Sequence, residues 1–488
     1  MSLALGWLAR PLRVPQGARP LLRRFLSSSL LQATIPFATP DGTESVVKQS
    51  SNTSSLTTRP PGQKRKRRTK EEVQAQREAG QALKEERRVA REAKAALRAA
   101  NAVVPARRGH TSSSNIPFIS NIPPEYAKFP PLPPLNTWRD TFPRLQQVRD
   151  RISLRNPLSS MQVAQAFVGS DWSDSGKPKT VVEAFPGPGA LSRGLLTLPP
   201  SKLGKLIILE DYEPYLEYLR PLELVDPRVK VVPLSGFTWD TYRVLEDERI
   251  LDPETIDWND GIHPSLQFII HIPQSISGEQ FVAQLLRCIP ERSWLFKYGR
   301  VPMSFLLSDW VWRRVSANVD ATERCKLSVI AEATADIRLA LPSELLQPFD
   351  DHFHPTRTAY NQLADTRKPE ARRLGTPYVA ATIVPHQTQL IDKGMLDKWD
   401  YILRRLFVQK STPLRKSISS LAPGAEVLLK TLTDPSLPPE QQVDVRQRNR
   451  DLSVADWALL FRAFHAWPFA PEDLAIDSFL SEDDRAYR

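Results

Sequence analysis

Val181–Ser192 reads VVEAFPGPGALS. A short apolar run ends at an acid, Glu183, a Pro/Gly turn follows, and then come residues that open a helix. In open α/β sheets the carboxyl ends of strands and the N-termini of helices meet in such loops, and nucleoside cofactors bind there. Gly187 and Gly189 supply the tight turn and allow backbone to approach a ligand closely. Gly/Pro turns after strands are common, so the weight of this reading comes from what surrounds the loop.

Downstream, Lys205–Glu210 (KLIILE) reads as a second buried strand ending in a carboxylate, followed by a helix over Tyr212–Leu222. Glu210 is placed to accept the ribose hydroxyls of a bound nucleoside; the competing reading is an exposed or helix-capping acid. Further strands are predicted at Val229–Val232, Leu266–His271, Val301–Leu307, Leu327–Ala331 and Tyr378–Val384. Helices are predicted at Glu279–Ile289 and Ser308–Ala317. Strands alternating with helices imply a mostly parallel sheet. After Pro385 the pattern turns helical, with Lys393–Val408, Ala425–Leu432 and Val454–Ala466 expected to form a separate small domain.

The chain has 488 residues and a net charge of +11, unevenly placed. Residues 1–40 hold five arginines (Arg10, Arg13, Arg19, Arg23 and Arg24) and no acid, among Leu, Ala and Ser, which is the composition of a mitochondrial transit peptide. Cleavage is expected near Arg24–Ser29. Residues 64–108 hold 15 basic and 6 acidic residues, including the run KRKRRTK at Lys64–Lys70 and a solvated helix expected over Glu71–Ala100. This arm reads equally as a phosphate-binding element or as a partnerless solvated face. Pro-rich Ile116–Leu135 is expected to be a stiff linker, with the folded part beginning near Trp138. The rest of the chain is slightly acidic overall, so nucleic-acid affinity of the folded body must come from local patches.

The resulting division is transit peptide 1–40, arm and linker 41–137, α/β domain 138–388, helical domain 389–470 and acidic tail 471–488. Two cysteines, Cys288 and Cys325, give neither a disulfide framework nor a zinc spacing. His352 and His354 lack a nearby third ligand and read as ordinary loop residues, so no metal is expected. No apolar run reaches transmembrane length, and no membrane partner is expected.

Arg404–Lys416 (RRLFVQKSTPLRK) carries five basic residues and no acid. Arg404, Arg405, Lys410, Arg415 and Lys416, with Phe407 among them, suit a phosphate backbone and an unstacked base; the bland reading is a solvated helix face. Arg292, Lys297, Arg300, Arg313 and Arg314 form a second basic group near Trp294, Trp310 and Trp312, tryptophans that read as core before base platforms.

The loop VVEAFPGPGALS with Glu210, then FIIHIPQSIS, ERCKLSVIAEA and LRRLFVQKSTPLRKSI, resembles the ribosomal RNA adenine dimethyltransferase family from about Leu154 to Leu421. The resemblance implies a methyltransferase-like, Rossmann-like α/β fold with a seven-stranded mostly parallel sheet and a smaller C-terminal helical domain. It implies S-adenosylmethionine as cofactor, held by Glu183, Gly187, Gly189, Glu210 and the position of Ser235. Within the family, Phe185, FTWDTY at Phe237–Tyr242 and RSWLFKYGRVPM at Arg292–Met303 are similar to the fungal mitochondrial transcription initiation factors, which work with a single-subunit mitochondrial RNA polymerase on promoter DNA.

The chain departs from the enzymes where chemistry would occur. Phe185 stands where they have glycine, and crowds the space for the methionine part of the cofactor. Ser235 stands where they have an aspartate near the adenine. Their catalytic tetrapeptide, Asn-aliphatic-Pro-aromatic, is His271, Ile272, Pro273 and Gln274. In the enzymes the Asn amide and the next carbonyl align the target amine, and the aromatic stacks on the extruded base. His271 accepts a hydrogen bond in one neutral tautomer only, and Gln274 is a poor stacking face. S-adenosylmethionine binding is therefore expected to be weak or vestigial.

The leading expectation is a matrix-located transcription initiation factor that gives the mitochondrial polymerase promoter recognition and DNA opening. The alternative is a mitochondrial small-subunit rRNA adenine N6,N6-dimethyltransferase. A third, weaker reading is an RNA-binding ribosome-assembly factor.

Overall fold

The computed structural model describes residues 122–169, 176–357, 372–471 and 474. The expected transit peptide, the basic arm with its helix at 71–100, and nearly all of the acidic tail lie outside these residues.

The sheet has seven strands: β1 (Lys179–Ala184), β2 (Leu203–Leu209), β3 (Val229–Val232), β4 (Leu266–His271), β5 (Met303–Ser308), β6 (Ala335–Leu339) and β7 (Tyr378–Pro385). Their spatial order is 3-2-1-4-5-7-6. The pairings from β3 through β5 are parallel, and β7 runs antiparallel to both β5 and β6. This is the seven-stranded, mostly parallel methyltransferase-like sheet that the sequence implies. Strand order reverses at β1, so the crevice beyond the ends of β1 and β4 is where this class of sheet binds ligands.

Both faces of the sheet are covered, so its central strands read as apolar runs. Val182, Ile207, Phe268 and Phe305 point into one core, shared with helices α4 (Trp239–Asp247), α5 (Ile276–Glu291), α6 (Asp309–Val315) and α7 (Lys326–Thr334). Val181, Ile208, Ile269 and Leu306 point into the other, with α1 (Pro157–Ala164), α2 (Ala190–Leu196) and α3 (Glu213–Val225).

Three expectations need correction. Leu327–Ala331 is not a strand; it lies within α7, and the sixth strand begins four residues later at Ala335. Leu327, Val329, Ile330, Ala331 and Ala333 are all buried, and a helix apolar all round gives the same unbroken apolar run as a buried strand. A capping box between Cys325 and Ser328 starts the helix.

The Pro-rich stretch before Trp138 is also not wholly a linker. Tyr126 sits in a single helical turn, is buried, and donates its hydroxyl to the Ala190 carbonyl at 3.1 Å. Arg193 reaches back to the Pro130 carbonyl at 2.9 Å.

Finally, the helices after Pro385 do not have a core of their own. In α8 (Leu396–Phe407), α9 (Leu428–Leu432) and α10 (Val454–Ala466), the residues Trp399, Leu403, Leu406, Leu428, Trp457 and Leu460 belong to the same continuous core as α5, α7 and one face of the sheet.

Candidate functional site

The loop after β1 turns as its glycines require, but onto protein. Gly187 has φ +64°, and a Cβ there would lie 2.6 Å from the Ser153 side chain. The space that its missing side chain leaves is thus taken by the incoming N-terminal segment. Phe185 also has positive φ, 56°, and is 2% exposed. A bulky residue in the left-handed region costs free energy and persists only where its surroundings fix it. Those surroundings are Phe237, with ring centroids 4.9 Å apart, and the Arg151 guanidinium, 4.3 Å above the ring.

Arg151 also pairs with Glu210. The carboxylate at the end of β2 is fully buried and accepts from the backbone N–H groups of Asp211 and Tyr212 at 3.0 and 2.9 Å. The same oxygen, Oε1, is ion-paired with Arg151, whose second nitrogen pairs with Asp211. Burial pushes the Glu210 carboxyl up to about 7, against the downward pull of Arg151 and the Tyr212 N–H. The acid expected to hold ribose hydroxyls therefore holds an arginine of its own chain. This partner was not legible in the motif, because Arg151 is one of five arginines between Arg139 and Arg155.

In the tetrapeptide, Ile272 and Gln274 bond to their own chain, while both ring nitrogens of His271 lack a hydrogen-bond partner. His271 is buried at the end of β4, with Nε2 3.6 Å from Glu183 Oε1; the other Glu183 oxygen accepts from Ser192 Oγ at 2.6 Å. The Ile272 carbonyl accepts from the Tyr378 hydroxyl at 3.2 Å. The Gln274 N–H donates to the Asp150 carbonyl at 2.6 Å, and its side-chain amide donates to the Arg373 carbonyl at 2.9 Å. Pro273 packs under α5, where its carbonyl leaves room only for Gly278. Residues 150–151 thus lie across both halves of the crevice: one bonds the tetrapeptide and the other the β2 acid. Ser235 is half-buried, and its carbonyl accepts from the Thr241 hydroxyl at 2.8 Å.

Around the position expected for S-adenosylmethionine, Arg151 engages Glu210 Oε1 while Oε2 has no hydrogen-bond partner, the Phe185 ring stands in the loop, and Gly187 faces Ser153. Among the described residues no group of three or more His, Cys, Asp or Glu side chains could hold a metal. His354 and His352 serve as anchors: His354 Nε2 lies 2.9 Å from the Phe142 carbonyl and His352 Nδ1 lies 2.6 Å from Ser159 Oγ.

The Arg404–Lys416 segment divides. Phe407 faces inward: its ring stacks on Trp457, 5.4 Å between centroids at 15°, and packs against the core. The end of an amphipathic helix turns it inward, a direction that a linear basic run does not reveal. Arg404 lies 2.9 Å from buried Asp400, which also gathers Arg287 at 2.9 Å and Lys326 at 3.2 Å. Arg405 is half-buried with its guanidinium over the Tyr401 ring. Lys410, Arg415 and Lys416 are exposed.

Each member of the second basic group has a partner within the chain. Arg292 lies over Trp258, Lys297 pairs with Glu246, Arg300 donates to the Pro385 carbonyl, Arg313 pairs with Asp309 and Arg314 with Glu279. Trp294 is packed among Tyr242, Phe268 and Phe296 as a core residue.

The family model for ribosomal RNA adenine dimethylase matches residues 154–459. The chain belongs to the ribosomal RNA adenine dimethylase family. Within it, the chain is 26% identical over 265 residues to Mitochondrial transcription factor 1 of Saccharomyces paradoxus, covering 52% of this chain and 72% of that protein. To Mitochondrial transcription factor 1 of Lachancea kluyveri it is 24% identical over 296 residues, covering 60% and 82%. To the mitochondrial dimethyladenosine transferase 1 of Caenorhabditis elegans it is 24% identical over 214 residues, covering 43% and 55%. Among solved structures, a dimethyladenosine transferase from Plasmodium falciparum aligns at TM-score 0.40 and 14% identity, over 64% of this chain and 97% of that one. This member has the sheet and both acids, Glu183 and Glu210, and Arg151 pairs with the second.

Proposed function

We propose that this chain is a mitochondrial transcription initiation factor, built on an adenine dimethylase fold whose cofactor site is vestigial. The observation that carries the reading is Arg151, which pairs with Glu210 and covers Phe185 in the crevice where the family binds its cofactor. The relatives named Mitochondrial transcription factor 1 support the same assignment. The transit-peptide composition of residues 1–40 supports the mitochondrial matrix as its location.

In this reading the factor and the mitochondrial RNA polymerase together open promoter DNA. Each opened step costs about 1.4 kcal/mol of stacking, so the pair must hold the separated strand. The exposed cations Lys410, Arg415 and Lys416 are the part of the predicted basic segment free to contribute, through phosphates rather than base stacking. Arg404 and Arg405 act behind them as structural cations.

The test is transcription by the cognate polymerase on a duplex mitochondrial promoter, with and without the purified full chain. Defined start-site transcripts that require the chain are expected. The reading is overturned if start-site choice is unchanged, or if the chain transfers labelled methyl groups to small-subunit rRNA adenines at the rate of an authentic dimethyltransferase. That second outcome is the alternative favoured by the retained Glu183 and Glu210 and by the dimethyladenosine transferase relatives.

A further inference from the structure

A second chain segment that the sequence reading did not single out lies against Lys410–Lys416. Residues 443–451 read VDVRQRNRD. The Leu414 N–H donates to the Gln447 carbonyl and the Arg415 N–H to the Val445 carbonyl, both at 2.9 Å. In the other direction, the Asn449 N–H donates to the Thr412 carbonyl and the Arg450 N–H to the Lys410 carbonyl, both at 3.0 Å. Pro413 and Arg448 form an antiparallel bridge between the two segments.

Asn449 fixes this pairing. It is fully buried, donates through Nδ2 to the carbonyls of Leu406 and Gln409 at 2.9 and 3.0 Å, and accepts from Ser417 Oγ at 2.8 Å. A buried amide satisfied on both its donor and acceptor sides holds one register.

The pairing brings Arg446 and Arg448 beside Lys410, Arg415 and Lys416, all exposed. Within the two segments the acids are Asp444 and Asp451. Asp444 caps its own turn by accepting from the Arg446 N–H, and Asp451 pairs with Arg448 and, at 3.5 Å, with Arg450. At Lys410 the strip comes within electrostatic reach of Glu323, which the Thr322 hydroxyl and its own backbone, then Arg313 and Lys410, hold below the usual carboxylate range. The pairing is one bridge beside a helical turn at Leu414–Ser417, and it gathers the cations of both segments at one surface. No aromatic side chain is presented within either segment, so the contact is to backbone and tolerant of sequence.

We propose that Arg446 and Arg448 join Lys410, Arg415 and Lys416 in one binding strip for the phosphodiester row of an unpaired DNA strand. The inference rests on the transcription-factor reading above, which the promoter assay tests independently, so failure of the strip with start-site selection intact leaves that reading standing. Full-length chain is titrated with a labelled single-stranded DNA over a range of salt concentrations. Parallel arms use the same sequence as duplex and as RNA. One variant carries R446Q and R448Q; a second carries K410Q, R415Q and K416Q; a third carries R446K and R448K.

Each lost phosphate contact lowers the slope of log affinity against log salt by about 0.7 on a single strand. The R446Q/R448Q chain should therefore lose about 1.4 in slope, the three-residue variant about 2, and the lysine variant almost nothing, with thermal midpoints unchanged. If the three-residue variant loses slope and R446Q/R448Q does not, the two-segment strip is wrong while the role of Lys410–Lys416 stands. If neither loses slope, both fall. A loss confined to duplex or to RNA overturns the unpaired-DNA occupant.

Discussion

Nε2 of His271 stands 3.6 Å from Oε1 of Glu183, both side chains buried. The distance exceeds a hydrogen bond. Both His271 ring nitrogens and Glu183 Oε1 are therefore buried without a hydrogen-bond partner. Gln274 is bonded to Asp150 and Arg373, so the tetrapeptide differs from the family pattern in its contacts as well as in two side chains.

Restoring the family's tetrapeptide alone, as H271N with Q274F, should not restore methyl transfer to small-subunit rRNA, because Arg151 and Phe185 still occupy the crevice. The R151A/F185G chain should instead gain S-adenosylmethionine affinity by at least about tenfold, or 1.4 kcal/mol, over wild type. Isothermal titration measures this. Tight saturable binding by the wild-type chain would refute the closed-crevice reading.

Asp400 should matter for stability far more than its neighbour Asp397. It is buried among Arg287, Lys326 and Arg404, whereas Asp397 is exposed and 3.6 Å from Arg287. Removing one partner of a buried charge cluster leaves the others uncompensated, at about 3 kcal/mol. Urea unfolding of D400A and D397A is expected to give a loss of that size for the first and under about 1 kcal/mol for the second.

Phe407 stacks on Trp457, so F407A should reduce stability by about 2 kcal/mol, less than a fully buried Phe→Ala because the side chain is only half-buried. At temperatures where the variant is folded, its affinity for single-stranded DNA should match wild type. A selective loss of DNA affinity with unchanged unfolding would place Phe407 at the nucleic acid after all.

His354 gives a pH dependence with a definite sign. Burial holds its imidazole down to about 4, with the Phe142 carbonyl opposing, against 6.5 for the free group. Between those values the unfolded chain binds a proton that the folded chain does not, so stability falls as pH drops from about 6.5 towards 4, by about 3 kcal/mol in all. Glu210, raised to about 7, contributes with opposite sign: its stabilisation is complete below about 4.5 and is lost as pH rises through 7. The difference between the stability profiles of wild type and H354Q isolates the first term. Parallel profiles across this range would exclude it.

The strands around the site were readable because β1, β2 and β4 are apolar runs that end in polar residues at one edge of the sheet: Glu183, Glu210 and His271. What closes the crevice was not. Arg151 reaches Glu210 across 59 positions, and no periodicity marks which of several nearby arginines will do so. The α7 error has the same root, since burial on all sides erases the pattern that separates helix from strand. The inward packing of Phe407 and Arg404 is not legible because linear charge density does not say which face of an amphipathic helix a residue occupies. Asn449, which aligns the second basic segment, has no signal in sequence beyond being a polar residue in a polar run.

The continuous core under α5, α7, α8 and α10 bears on how this protein can be taken apart. A fragment ending at Pro385 would leave the greasy underside of two helices facing water, and a fragment beginning there would lack the floor it sits on. The C-terminal helices are therefore not a portable cassette. Transplanting them onto an active dimethylase, or replacing them with that enzyme's own, should yield aggregates unless the contacting surfaces of α5 and α7 are exchanged at the same time.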